Sequence, residues 1–175
     1  RKAAEQGFAL AQNGLGNMYS NGEGVTEDDK AAVKWYRLAA FQGNAQAQFN
    51  LGLMYDNGEG VLEDDKEAVK WYRLAADQGA APAQFNLGIK YDNGEGVLQG
   101  HNEAVWWYRK AAEQGVADAQ YNLGIKYSTG QGVLQNFVTA YAWINIAEAN
   151  GRDVKRFKEL LNGKITLNQI AKSQE

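Results

Sequence analysis

Apolar and small residues recur along this chain at the spacing of α-helices. Ala47, Leu51 and Tyr55 lie four residues apart and therefore share one face of a helix. A second stripe follows after a glycine-rich turn, and it comprises Ala68, Tyr72, Ala75, Ala76 and Gly79. The small residues allow helix axes to approach closely, and Trp71 with Tyr72 fills the volume between layers. The pattern predicts a unit of helix, loop and helix.

This unit repeats with a period of 36 residues. Its turn is NGEGV at 21–25, 57–61 and 93–97, and TGQGV at 129–133. The segment before the turn has the form AQFNLGLMY, the segment after it has the form AVKWYRLAA, and each unit closes on Gly43, Gly79, Gly115 or Gly151. One such hairpin cannot bury its apolar faces alone, so neighbouring copies must stack. We therefore expect an all-α solenoid of helix-loop-helix repeats.

The repeats divide the whole chain. The opening RKAAEQG matches residues 109–115, which predicts that the chain begins inside the last turns of a preceding repeat. The predicted divisions are 1–7 for the end of that truncated repeat, 8–43, 44–79, 80–115 and 116–151 for four repeats, and 152–175 for C-terminal capping helices. DVKRFKELLNGK predicts an amphipathic helix ending at Asn162–Gly163, and Thr166 is a candidate cap for a further helix from Leu167. Self-association is expected through the open N-terminal end.

The turn YDNGEGV at 55–61 has three possible interpretations. A calcium loop starting at Asp56 would place Gly58 and Gly60 at ligand positions, where glycine offers no side-chain oxygen, and Val61 where the bend needs glycine. A phosphate cradle would need a lysine that the turn lacks. Two glycines between helices instead predict positive φ angles, with Val61 entering the core. We interpret the segment as a structural turn.

The composition excludes several kinds of binding and catalytic site. A formal net charge of −3 and a pI near 5.3 argue against a nucleic-acid surface. The absence of cysteine excludes disulfides and thiolate zinc sites, and no apolar run approaches the length of a membrane span. His101 is the only histidine and replaces the helix-opening Asp29 and Asp65, so we expect it to be solvated rather than catalytic. No serine lies in a GxSxG or SxxK motif. We therefore predict no catalytic residue, no metal and no cofactor.

The motif AxxxLGxxYxxGxGV followed by AxxWYxxAAxxG resembles the SEL-one-like repeat (SLR), a relative of the tetratricopeptide repeat, over about residues 1–151. The resemblance implies a right-handed α/α superhelix that serves as a protein-binding scaffold. It also suggests a bacterial protein of the periplasm or a secreted one. Cysteine-rich relatives carry disulfides between paired helices, and this chain departs from them because it has no cysteine.

In such a right-handed stack the first helices line the concave side. The residues predicted to bind a peptide or protein there are Phe49, Asn50, Leu53, Asp56, Phe85, Asn86, Ile89, Asp92, Tyr121, Asn122 and Ile125. Either the aromatic row belongs partly to the core between repeats and the asparagines cap local backbone, or the asparagines hydrogen-bond an extended peptide, by analogy with tetratricopeptide domains. Asn13, Gly14 and Asn17 break the apolar pattern, so the groove should be more polar in the first repeat.

The sequence is compatible with three functions. The first is a non-enzymatic scaffold that binds a partner protein or peptide, with no nucleic acid and no membrane insertion. The second is a structural spacer within a longer repeat protein. The third is a hydrolase, which some cysteine-rich relatives suggest through β-lactam binding, and its candidate base would be His101.

Overall fold

The computed structural model describes residues 1–165, and the helix proposed from Leu167 lies outside this range. Within it the chain forms ten helices and no strand. They are α1 Lys2–Glu5, α2 Ala9–Asn21, α3 Asp29–Phe41, α4 Ala45–Asn57, α5 Asp65–Asp77, α6 Ala81–Asn93, α7 His101–Glu113, α8 Ala117–Thr129, α9 Phe137–Ala149 and α10 Lys155–Asn162. The chain divides into two compact units, one of Arg1–Leu87 with Glu95–Leu98 and one of Gly88–Gly94 with Gln99–Glu175.

Consecutive helices pack as pairs in both units. α2 lies on α3 and α4 lies on α5 in the first unit, and α8 lies on α9 in the second. The second helix of one pair also contacts the first helix of the next, as α3 contacts α4. The all-α fold class, with helix pairs packed as repeats, is therefore confirmed.

The turns between paired helices have the geometry that their glycines predict. Gly58 ends α4 with a φ of 71°, and Gly60 has a φ of 69°, both in the left-handed region. Asp64 then caps α5, because its Oδ1 accepts hydrogen bonds from the backbone N–H groups of Lys66 (2.9 Å) and Glu67 (3.1 Å). The interpretation of this segment as a structural turn agrees with the backbone.

A glycine within the first helix of a pair lies directly against the second helix. In the first unit, a Cβ built on Gly52 would lie only 2.6 Å from Cδ1 of Tyr72, whose side chain is fully buried. In the second unit, Gly88 meets Tyr108 in the same way, at 2.7 Å. Because glycine has no side chain, the tyrosine ring packs directly on the backbone of the facing helix, and the two axes come close together.

A buried glutamine joins successive repeats, a feature that the hydrophobic pattern does not predict. Gln48 Nε2 donates to the carbonyl oxygen of Ala40 at 3.1 Å, and Gln78 Nε2 donates to Gln48 Oε1 at 2.7 Å. In the second unit Gln120 Nε2 donates to the carbonyl oxygen of Ala112 at 2.9 Å. Each buried amide thereby satisfies its own hydrogen-bonding groups and a carbonyl at the end of the preceding helix.

The chain continues beyond α9 with a helix that packs on it. α10 ends at Asn162, where the sequence places the end of an amphipathic helix. Val154 and Leu161 are buried with Ile144 and Ala147 of α9. These contacts cover apolar side chains of α9 that would otherwise face solvent.

Candidate functional site

The residues predicted to form a groove all lie on α4, α6 and α8, the first helices of their pairs. Each of them is half-buried, so each side chain is partly packed and partly open to solvent. In the first unit these residues are Phe49, Asn50, Leu53, Asp56, Phe85 and Asn86, and in the second they are Ile89, Asp92, Tyr121, Asn122 and Ile125.

The aromatic row is partly engaged in packing. The Phe49 ring lies against the ring of Tyr72, with centroids 5.9 Å apart. In the second unit, Tyr121 packs edge-to-face on Phe157 at 5.6 Å, and the guanidinium of Arg152 lies 5.1 Å from its centroid. These contacts fit the interpretation in which the aromatic rings contribute to the core, and they hold the rings in place beside the asparagines.

The asparagines pair with side chains of the preceding repeat. Asn50 Nδ2 donates to Asn17 Oδ1 at 3.1 Å, and the Tyr36 hydroxyl donates to the same oxygen at 2.9 Å. Asn86 hydrogen-bonds the Tyr72 hydroxyl, and Asn122 hydrogen-bonds that of Tyr108. Local pairing of this kind orients each amide and leaves it half-buried at the surface.

Buried tyrosine hydroxyls hydrogen-bond polar side chains of the first helices. The Tyr72 hydroxyl donates to Asp56 Oδ2 at 2.9 Å. Burial, and next the charge of Asp56, raise the pKa of Tyr72 well above its ordinary value. Burial and the charge of Asp92 raise the pKa of Tyr108 in the same way. Both hydroxyls therefore stay protonated and act as hydrogen-bond donors at neutral pH.

The first unit carries a cavity of about 250 Å³ on this face, which we name the α2–α4 cavity. It is lined by Asn17, Ser20, Asn21, Tyr36, Asn50, Leu53, Met54, Asn57 and Glu59. Polar side chains dominate it, and Glu59 is the only charged residue among the described residues that line it. Asn57 Nδ2 donates to Glu59 Oε1 at 3.2 Å and so holds the carboxylate at the cavity edge.

The second unit carries a cavity of about 220 Å³, which we name the α6–α8 cavity. It is lined by Asp92, Asn122, Ile125, Lys126 and Gln131. The Lys126 side chain is only 6% exposed, and its ammonium forms an ion pair with Asp92. Lys126 Nζ also donates to Gln131 Oε1 at 3.1 Å. A buried cation is costly unless it is paired, and these two partners compensate its loss of hydration.

The position of His101 corrects the sequence prediction. It was expected to be solvated, but it is half-buried and its Nδ1 lies 2.7 Å from Asp92 Oδ1. The same carboxylate accepts from Lys126 and lies 3.5 Å from the Tyr108 hydroxyl. Asp92 thus joins α6, α7 and α8. Ser128, the nearest serine in sequence to Lys126, donates to the carbonyl of Ile125 at 2.8 Å rather than to the imidazole.

The two cavities correspond position by position. Each residue that lines the α6–α8 cavity stands two repeat periods after a residue that lines the α2–α4 cavity. The pairs are Ser20 with Asp92, Asn50 with Asn122, Leu53 with Ile125, Met54 with Lys126, and Glu59 with Gln131. The repeat therefore encodes the cavity, and substitutions at three of its positions change the charge.

Asn122, Ile125 and Asp92 are among the residues that the sequence pattern predicts for the groove, whereas Lys126 and Gln131 are found only in the structure. The sequence carries a partial signal, because the repeat position of Lys126 holds Met18 and Met54 in the first two repeats and Lys90 in the third. Lysine at a position that is methionine in the first two repeats indicates a local polar partner. The described residues contain no cluster of three potential metal ligands. No helix among them has the length and apolarity needed to cross a bilayer.

Paired helices joined by glycine turns, repeated along the chain, define an α/α repeat protein with its variable polar positions on the first helices. The Sel1 repeat model matches residues 9–44, 45–79, 81–116 and 117–151. The chain belongs to the Sel1 repeat family, whose members are generally protein-interaction scaffolds.

Solved structures agree with this assignment. A protective antigen present in uropathogenic Escherichia coli strains, which displays an SLR fold, matches with 44% identity and a TM-score of 0.84 over 86% of this chain and 32% of its own. A Sel1 repeat protein from Oxalobacter formigenes matches with 40% identity and a TM-score of 0.80 over 84% of this chain and 60% of its own. This chain therefore spans about a third of the first protein and three fifths of the second.

A more distant match is the Helicobacter pylori cysteine-rich protein B, with 25% identity and a TM-score of 0.55 over 67% of this chain and 90% of its own. No curated protein matches the sequence. The comparisons establish the family and the helix-pair repeat.

Proposed function

We propose that this chain is a non-enzymatic scaffold that binds an extended segment of a partner protein on its first helices. The correspondence between the α2–α4 and α6–α8 cavities carries the proposal. Each combines an asparagine amide (Asn50 or Asn122) with an aliphatic side chain (Leu53 or Ile125) three residues further on. An extended peptide presents backbone amides and alternate side chains. The asparagine can hydrogen-bond the peptide backbone, and the aliphatic residue can contact a peptide side chain.

The contacts around the asparagines favour binding by pre-orientation. Tyr108 hydrogen-bonds Asn122, and burial together with Asp92 keeps the tyrosine protonated. Asn50 is held by Asn17. An amide whose rotamer is already restricted loses less conformational freedom when a ligand binds, so more of the interaction energy contributes to affinity.

The two cavities differ in charge, so each suits a different kind of side chain. Within residues 1–165, the lining of the α2–α4 cavity includes Glu59 and no cation, whereas the α6–α8 cavity contains the Asp92–Lys126 pair. A basic side chain suits the first cavity by charge complementarity. A neutral polar group suits the second, because both charges there are already compensated.

Peptide selection followed by mutation tests the proposal. Peptides are selected by phage display on the intact chain, and their affinities are measured by fluorescence anisotropy. Asn122→Ala removes one hydrogen-bonding amide and should weaken binding about tenfold, the equivalent of roughly 1.4 kcal/mol. Glu113→Ala, an exposed change near the end of α7, serves as the control and should leave the affinity unchanged.

Circular dichroism and thermal unfolding of both variants establish that the fold is retained. Selected peptides that bind Asn122→Ala and Asn50→Ala as tightly as the unaltered chain would overturn the assignment of this face. Failure to select any peptide would also count against it and would favour the spacer function.

A further inference from the structure

In the first unit, α3 and α5 are each the second helix of a pair, and they are nearly identical in sequence but differ in charge. α3 reads DKAAVKWYRLAAF and α5 reads DKEAVKWYRLAAD. They differ at two positions, and at each a carboxylate of α5 is replaced by an apolar residue in α3, with Ala31 for Glu67 and Phe41 for Asp77. α3 therefore carries three cations and one carboxylate, whereas α5 carries three of each.

The first of these carboxylates, Glu67, has defined partners in α5. Glu67 accepts from Lys70 Nζ at 3.0 Å and from Trp71 Nε1 at 3.1 Å. Lys34 takes the place of Lys70 in α3, and there Ala31 offers it no carboxylate. An ammonium without a neighbouring carboxylate one helical turn away is available to an anionic ligand.

The second replacement exposes an aromatic ring. Phe41 is 73% exposed, although one edge packs on Trp71 of the next repeat, with ring centroids 5.4 Å apart. Leu38, one turn earlier on the same face, is 42% exposed. This surface therefore offers a ligand both apolar side chains and cations.

These residues enclose a groove of about 320 Å³ in the first unit, which we name the α3 groove. Its lining includes Lys30, Lys34, Arg37, Leu38, Phe41 and Val61. Arg37 Nη2 donates to the Tyr55 hydroxyl at 2.8 Å, which fixes the guanidinium at the groove edge with further N–H groups available. The groove has the size of a small ligand pocket and combines an apolar floor with three cations.

We propose that the α3 groove binds an acidic segment of a partner protein in which a large apolar side chain is flanked by carboxylates. Phe41, Leu38 and Val61 take the apolar side chain, and Lys30, Lys34 and Arg37 take the carboxylates. This surface lies on a second helix, so it is separate from the face assigned to the proposed function.

Charge and size favour a peptide over a membrane or a nucleic acid. Recognition of anionic lipid headgroups generally requires clusters of about four to eight basic residues, and this groove has three. The chain carries a net charge of −3, which disfavours its binding to an extended anionic partner such as a membrane or a nucleic acid. A short segment requires only local complementarity, which three cations around an apolar floor provide.

The test uses a fluorescein-labelled hexapeptide in which Leu-Phe is flanked by two glutamates on each side. Titration with the intact chain should give saturable binding that weakens as salt is raised. A peptide with lysine flanks and one with Ala-Ala in place of Leu-Phe should both bind at least about tenfold more weakly. Equal binding of the lysine-flanked peptide would overturn the proposal.

The repeat supplies a matched variant. Ala31→Glu combined with Phe41→Asp gives α3 the sequence of α5, which is a sequence that already folds in this chain. It should weaken peptide binding at least about tenfold. Lys34→Glu leaves the Phe41–Trp71 contact in place and should weaken binding by a similar factor through charge alone.

Two controls separate this site from its alternatives. Asn122→Ala should leave binding of the acidic peptide unchanged, so a failure of the proposed function would not affect this result. Sedimentation with phosphatidylserine vesicles should show no association. Unchanged affinity in the Ala31→Glu, Phe41→Asp variant, or binding to vesicles but not to the peptide, would contradict the proposal.

Discussion

Gly60 lies directly against the backbone of Asp29. A Cβ built on Gly60 would come within 2.4 Å of both the carbonyl carbon and the carbonyl oxygen of Asp29, at the start of α3. Gly60 also has a positive φ of 69°. The turn of one repeat thus rests on the first residue of the second helix of the repeat before it, so it serves contact between repeats as well as chain reversal.

Gly60→Ala should destabilise the chain by about 3 kcal/mol or more, because backbone strain adds to an overlap with main-chain atoms that cannot move aside. Gly43→Ala is the matched control. Gly43 also has a positive φ, of 85°, but no atom lies within 4 Å of its built Cβ. This control should lose only about 1 kcal/mol from strain. Urea unfolding measures both, and equal losses in the two variants would contradict the contact with Asp29.

Gly52→Ala should destabilise the first unit by about 1–3 kcal/mol, because the added methyl group meets the ring of Tyr72 at 2.6 Å and that ring is fully buried. Gly14→Ala provides the opposite case. Gly14 lies within α2, is exposed, and has nothing within 4 Å of its built Cβ. Alanine there should stabilise the helix by up to about 1 kcal/mol. Thermal unfolding tests the pair, and a stabilising Gly52→Ala would show that the helices do not pack as described.

The helices, turns and buried stripes were predictable from the sequence because the same pattern recurs in each repeat. Leu51, Leu87 and Leu123 stand one period apart, and all are fully buried. A single apolar stripe is ambiguous, but its recurrence with the same glycine turn leaves few alternatives. The buried glutamines were not predicted, because an amide in isolation fits a surface position as well as a core position. Only the carbonyl that Gln48 meets at the end of α3 gives it a buried partner.

The candidate site was less predictable because it depends on departures from the repeat. Asn122 and Ile125 follow the repeat pattern, and the sequence placed both on the first-helix face. His101 replaces the aspartates that open α3 and α5, whereas Lys126 shares its repeat position with Lys90. Their partner, Asp92, stands 9 residues before His101 and 34 before Lys126. Pairs of this kind depend on side-chain rotamers and on the spacing between helices, which a one-dimensional pattern does not contain.

Removing either member of the Asp92–Lys126 pair should have unequal effects on stability. Asp92→Asn leaves the ammonium of Lys126, whose side chain is 6% exposed, without its carboxylate. The loss should be about 3 kcal/mol, near the lower limit for a broken buried pair, because Asp92 retains 21% exposure. Lys126→Met restores the residue type found at Met54 and should change stability by less than about 1 kcal/mol.

A double-mutant cycle provides the control for this pair. In the Asp92→Asn, Lys126→Met variant no buried ammonium remains, so much of the stability lost in Asp92→Asn should return. Urea unfolding of the four proteins gives the coupling free energy. Additive losses would indicate that the two side chains do not interact in solution.

Raising the pH should destabilise the chain above about pH 10, because its buried tyrosines ionise only after they unfold. Burial first, and the charge of Asp56 next, raise the pKa of Tyr72, while burial and Asp92 raise that of Tyr108. The stabilisation is complete below the unfolded pKa and is lost as the pH rises toward the folded one, at about 1.4 kcal/mol per pH unit for each tyrosine. Urea unfolding between about pH 9 and 11 measures this slope. Tyr72→Phe should reduce it by the share of one tyrosine, and an unchanged slope in that variant would mean that Tyr72 titrates normally in the folded chain.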